Sequence, residues 1–232
     1  GPQHWHAPNR AYGAPDALRR LVDEAHARGI AVLFDVVYNH YTGWSEAPLR
    51  CFDGDCDDGG AGLYFFRDPA YRDTPWGPRP DFARPAVRGN AITRALRPNA
   101  LCVAEDLKGW DAITRPARDG GFDFDAQWDG FVYVAAEVLA PASDDGRDMN
   151  RVRELVTGRY NGDPFQRIIG TENHDTVGNG GARLPQRVDP RDPGSWAARK
   201  RSMLGAALMF TVPGVPMLFM GQEHLEAGTF AP

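Results

Sequence analysis

Four short apolar runs in this 232-residue sequence each stop at a cluster of carboxylates, amides or imidazoles, and this repeated ending constrains the fold more than any other feature. The clusters are Asp35-Val-Val-Tyr-Asn39-His40, Ala104-Glu105-Asp106, Glu172-Asn173-His174-Asp175 and Gly221-Gln222-Glu223. A near-continuous apolar run is what a strand of a parallel sheet looks like when both faces are covered by helices. In an α/β barrel, the residues that do chemistry collect where such strands end. A single carboxylate after a strand is usually a helix cap or a turn residue. Four such endings in sequence order are better explained by one shared cleft.

The segments between the clusters fit that reading. Pro15 to Arg28 has apolar residues Leu18, Leu21, Val22 and Ala25 at helical spacing, with Pro15 near the start and Gly29 past the end. Ile30 to Val37 then reads as a buried strand, which makes the αβ half of a βαβ unit. Residues 41–84 are rich in Gly, Pro, Asp and aromatics and read as a long functional loop or a small subdomain. Pro85 to Arg97 predicts one short helix, and Ala100 to Ala104 predicts a short strand. Phe122 to Trp128 has strand-like alternation, followed by helices over Phe131 to Leu139 and Asp148 to Thr157. Arg167 to Gly170 predicts a strand. Ala197 to Phe210 predicts a helix with Ser195 as its cap, and Val215 to Met220 a final strand.

Composition narrows the partners. A net charge of −5 lacks the basic balance that a general nucleic-acid binder uses, while leaving a neutral sugar open. No apolar run approaches the ~18 residues of a membrane span. No signal peptide is visible, although the chain opens on Gly1-Pro2 rather than Met. The odd count of cysteines, Cys51, Cys56 and Cys102, suits a reduced, cytoplasmic protein. Cys51 and Cys56 bracket an acidic loop whose spacing fits neither a zinc pair nor a calcium loop. Tyr64 stands where the last calcium ligand should be Glu, so a solvated turn is expected and no metal ligands are assigned.

Carboxylates and imidazoles pointing into one cleft are what glycosidic cleavage needs. One carboxylic acid protonates the leaving oxygen, and an opposed carboxylate attacks or activates water. The residues now show a resemblance. Asp35-Val-Val-Tyr-Asn39-His40 resembles the first signature of the alpha-amylase family, at the end of its third barrel strand. Val103-Ala-Glu105-Asp-Leu107 resembles the third signature, on strand five, and Thr171-Glu-Asn-His174-Asp175 the fourth, on strand seven. Val212 to Glu223 resembles strand eight. Thr74 to Phe82 and Gly121 to Trp128 resemble the bacterial glycogen branching enzymes and their maltooligosyl-hydrolysing relatives. The resemblance covers nearly the whole chain. It implies one partial (β/α)8 TIM barrel of the alpha-amylase type over 1–232, acting on alpha-1,4-glucans such as glycogen, starch or maltooligosaccharides.

By that resemblance Glu105 is the general acid/base and Asp175 stabilises the oxocarbenium-like transition state. His40, His174, Asp35 and Asn39 contact the sugar or support those that do. Trp76 and Tyr64, in the long loop, are candidates for stacking on sugar rings; plain loop packing is the other reading. Glu223 reads equally well as a strand-end cap or as a site residue. Many family members bind Ca²⁺, but no ligand set is recognisable here, so no cofactor is expected. The resemblance leaves open branching or hydrolysis. A non-catalytic glucan-binding remnant and a truncated gene product are further readings.

The family's second signature, roughly Gly-Phe-Arg-x-Asp on strand four, carries the nucleophile and should fall between His40 and Glu105. No such sequence is there. The match runs through Arg84 to Arg88 and resumes at Ile92 to Asn99. A βα unit with its crossover needs on the order of 30 residues, and this space holds one short helix. The expectation is therefore a barrel with impaired chemistry and open sheet edges, in which Asp35 loses the signature's Arg as a partner. Strands one and two are also expected to be missing ahead of Gly1. One decoy stands in Gly121-Phe-Asp-Phe-Asp125-Ala, which would make Asp125 the nucleophile and Glu137 the acid. Position 123 is Asp where the motif needs Arg, and the segment follows Glu105 rather than preceding it.

Overall fold

The computed structural model describes residues 9–37, 64–74, 77–81, 89–141, 143–178 and 180–229. The chain divides into two compact units, 1–89 and 90–232, each described by itself below.

In the first unit, helix α1 spans Pro15–Ala27. Pro15 at its first turn lacks the N–H that would be left unbonded there. At the other end Gly29 takes φ +73°, and the Ile30 amide turns back to the Ala25 carbonyl at 3.0 Å. The expected strand from Ile30 to Val37 does not form. These residues are irregular and exposed, Leu33 at 75% and Phe34 at 59%. The reason is cooperative: a strand exists through its neighbours' hydrogen bonds, and no described residue pairs with this segment. Asp35 is exposed with it, so the expected cost of burying that carboxylate without its Arg does not arise. Within the expected long loop, helix α2 (Pro69–Arg72) leads into a two-stranded antiparallel hairpin, β1 (Asp73–Thr74) with β2 (Gly77–Pro78). Phe65 bridges Pro80 and is fully buried.

The second unit opens on α3 (Gly89–Leu96), inside the expected Pro85–Arg97 helix. Strands β3 (Val103–Ala104), β4 (Ala126–Trp128), β5 (Arg167–Ile169) and β6 (Val215–Pro216) pair in that order, all parallel. The crossovers are helical. The short α4 (Asp111–Thr114) joins β3 to β4. Helices α5 (Phe131–Leu139) and α6 (Met149–Thr157) join β4 to β5. Then α7 (His174–Val177), α8 (Leu184–Val188) and α9 (Trp196–Thr211) join β5 to β6. Four consecutive βα staves of the expected barrel are therefore present. The core lies between sheet and helices: Phe131, Ala135 and Leu139 of α5 meet Leu155, Ile169, Leu184 and Met209. Gly205 lets α9 approach closely, since a Cβ there would lie 2.7 Å from Leu139 Cδ1.

Helix boundaries follow the sequence signals. Asp148 and Ser195 cap α6 and α9 through hydrogen bonds to Asn150 N and Ala198 N. Strand lengths do not. Only two of the five residues expected at 100–104, and two of the six at 215–220, are paired. Among the described residues, β3 and β6 are the two edges of the sheet, each with a ladder on one side.

Candidate active site

Because the four strands run parallel, the residues that follow them emerge at one edge of the sheet. Glu105 follows β3 directly. His174 and Asp175 follow β5 through Gly170 to Asn173. A capping box fixes that turn: Asn173 Oδ1 accepts from Thr176 N at 2.8 Å, and Thr176 Oγ1 accepts from Asn173 N at 3.0 Å. His174 and Asp175 are thereby held at the first turn of α7.

The three side chains converge. His174 Nε2 lies 3.5 Å from Glu105 Oε1 and 3.5 Å from Asp175 Oδ1, and the three polar atoms all lie within 4.8 Å of one another. Contacts of 3.5 Å are electrostatic neighbours rather than tight hydrogen bonds. Each side chain is 43–48% exposed, so the group opens to solvent and can meet a ligand. The indole of Trp128, the last residue of β4, packs edge-on against the His174 imidazole, with centroids 5.6 Å apart and planes at 67°. Side chains from three strand ends thus form one polar, aromatic-walled surface. Among the described residues this is also the one group of three that could hold a metal ion. Two carboxylates and an imidazole fall short of the six to eight oxygen ligands that calcium takes.

Behind this surface lie two buried ion pairs that the sequence reading did not find. Asp129, next to Trp128, pairs with Arg167 of β5 through two bonds, Nε to Oδ2 at 2.9 Å and Nη2 to Oδ1 at 3.0 Å. Tyr160 Oη donates to Asp129 Oδ2 at 2.7 Å, and the Phe131 amide donates to Oδ1 at 2.8 Å. Burial, with the Asp129 carboxylate alongside, pushes the Tyr160 phenol well above its ordinary range. Glu172 is 3% exposed, accepting from Arg183 Nη1 at 3.0 Å and from the Leu184 amide at 2.8 Å. Burial outweighs both partners and raises its pKa. Glu172 is therefore a structural member of its cluster, buried against Arg183 and the Leu184 amide. A signal was available for the first pair: an Arg inside a buried strand must find a carboxylate.

The remaining candidates fall elsewhere. Asp125 precedes β4 and so sits at the opposite edge of the sheet from Glu105. It accepts from Arg94 Nη2 at 2.9 Å and from the Cys102 amide at 2.7 Å. Glu137 pairs with Arg151 on the exposed face between α5 and α6. These positions agree with reading that pair as a decoy. Glu223 lines a cavity of about 330 Å³ with Leu184, Met203, Phe210, Leu218 and Leu225, outside the His174 group. His40, Asn39, Trp76, Cys51 and Cys56 lie outside the described residues. Asp35 and Tyr64 belong to the first unit, where the Tyr64 carbonyl accepts from the Asp81 amide at 2.8 Å.

No protein-family model matches the chain. The 1,4-alpha-glucan branching enzyme of Corynebacterium jeikeium is 26% identical over 282 residues, covering 94% of this chain and 37% of that protein. The malto-oligosyltrehalose trehalohydrolase of Arthrobacter ramosus is 30% identical over 285 residues, covering 94% of this chain and 47% of that one. The chain is a homologue of these alpha-glucan enzymes. It spans less than half the length of either. Among solved structures, a Salmonella typhimurium protein described as an alpha amylase superposes with TM-score 0.66 at 22% identity, over 98% of this chain and 47% of its own. An Anoxybacillus alpha-amylase superposes with TM-score 0.65 at 18% identity, over 98% of this chain and 56% of its own. The fold is thus a partial alpha-amylase-type barrel. The alignment with the branching enzyme runs over 282 positions and takes in 94% of this 232-residue chain, so part of that enzyme's aligned stretch has no counterpart here.

Proposed function

We propose that this chain is an alpha-1,4-glucan-recognising part of a branching-type catalytic barrel whose chemistry is impaired. The meeting of Glu105, His174 and Asp175 at the C-terminal edge of the sheet carries the reading. In it Glu105 is the acid/base, Asp175 faces the developing positive charge at the anomeric carbon, and His174 donates to a sugar hydroxyl. His40, Asn39 and Asp35 remain assigned to substrate binding by their signature, and Trp76 and Tyr64 to stacking. The substrate class is glycogen, starch or maltooligosaccharides. The free thiol of Cys102 agrees with a reduced, cytoplasmic setting. The reading includes no metal, nucleic acid or membrane partner, and no described helix is long and apolar enough to cross a membrane.

Impairment follows from what retention requires. The acid and a second carboxylate must flank the scissile bond about 5–5.5 Å apart. Glu105 and Asp175 meet within 4.8 Å, but in this reading Asp175 stabilises the transition state and is not the nucleophile. A nucleophile from strand four would have to stand opposite. The strand-four signature is absent between His40 and Glu105, where one βα unit would need on the order of 30 residues.

Incubation with amylose, followed by iodine colour and reducing-end assays, tests the reading on wild type and Glu105→Gln. The expected outcome is retention on an amylose column, with turnover at or near background for both proteins. Turnover in the wild type that Glu105→Gln abolishes would show that a nucleophile is supplied after all. Failure of both proteins to bind amylose would end the glucan reading.

A further inference from the structure

We propose that Trp128 is a positioning residue that holds the His174 imidazole beside Glu105 and Asp175. The backbone of His174 is fixed by the Asn173–Thr176 capping box, but its side chain is 46% exposed, and its two polar contacts among the described residues are 3.5 Å long. Contacts that long do not select one ring orientation over another. The indole adds a contact that depends on ring orientation, an edge-on aromatic pair with centroids 5.6 Å apart and planes at 67°, in the same arrangement that has Nε2 3.5 Å from each carboxylate. Trp128 is itself well anchored. It pairs in register with Ile168, and the next residue, Asp129, is clamped by Arg167, Tyr160 and the Phe131 amide. The rigid chain of contacts therefore runs from the Asp129–Arg167 pair through the end of β4 to the indole, and from the indole to the imidazole.

This inference deepens the glucan reading, on which it rests only for what the imidazole would touch. Its test needs no glucan, so the two can fail separately. The full chain is labelled with ¹³C and ¹⁵N at histidine, and the His174 ring signals are assigned with His174→Gln. In the wild type those signals are displaced by the ring current of the indole, and Glu105→Gln shifts them further. Trp128→Ala is expected to remove the displacement and most of the response to Glu105→Gln. Trp128→Phe is expected to retain both, since it keeps an aromatic edge. A purely structural role would lower the melting temperature of Trp128→Ala but leave the Glu105 response intact, and that result would overturn the proposal. Should Trp128→Ala not fold, the wild-type spectrum decides alone: His174 signals at open-chain positions would mean that the ring contact is not made.

Discussion

At the residue scale, the most consequential contacts are the buried ion pairs behind the site. Asp129 and Arg167 are 12% and 3% exposed, so removing either partner leaves a charge stranded in the interior. Arg167→Met alone is expected to cost about 3–5 kcal/mol in urea unfolding, and the double variant with Asp129→Leu much less. Equal costs for the single and double variants would contradict the pairing. Glu172 gives a pH test with a defined sign. Its folded pKa is raised by burial above the unfolded value, so its stability contribution is fully present below the unfolded pKa. That contribution is lost as pH rises through the folded pKa. The wild type's stability relative to Glu172→Gln should therefore fall as pH rises from the ordinary glutamate value and then level off. A relative stability that grows with pH would mean a depressed pKa instead. Glu105 and Asp175 were legible in the sequence because short contiguous motifs name them. Arg167 and Asp129 were not, because they lie 38 residues apart and only the β4–β5 register brings them together.

At the scale of the elements, helix ends were legible and strand ends were not. Pro15, Gly29, Asp148 and Ser195 act on their own local turn, so a linear reading finds them. Strands depend on partners far along the chain, which is why Ile30 to Val37 reads as a buried strand and is exposed instead. The segment before β4 shows a third case, where a motif hides a packing constraint. A Cβ on Gly121 would stand 2.0 Å from the Arg115 carbonyl oxygen, while the Asp123 amide bonds that same oxygen at 3.0 Å. Backbone atoms cannot rotate aside as a side-chain tip can. Gly121→Ala should therefore destabilise the fold by about 1–3 kcal/mol, the usual cost of forced overpacking. A melting temperature unchanged from wild type would show that the 115–123 turn has room to spare.

At the scale of the whole molecule, the sheet is four parallel staves of an alpha-amylase-type barrel, and its C-terminal edge carries the polar group. The fold class was legible because helix, turn and buried strand recur and because polar clusters end the strands. The strand-four motif is missing from the sequence between His40 and Glu105. One shared cleft was expected from the sequence, and Glu105, His174 and Asp175 do meet; their distances were not legible, since these depend on sheet order and on the cap at Asn173. Titration calorimetry with maltoheptaose tests most directly whether these three side chains form a single glucan site. Wild type should bind, and His174→Ala and Asp175→Ala should each weaken binding roughly tenfold, the worth of a hydrogen bond to or from a charged or strongly polar group. Affinities equal to wild type in both variants would mean that glucan, if it binds, binds elsewhere, and the assignment of this site would be wrong.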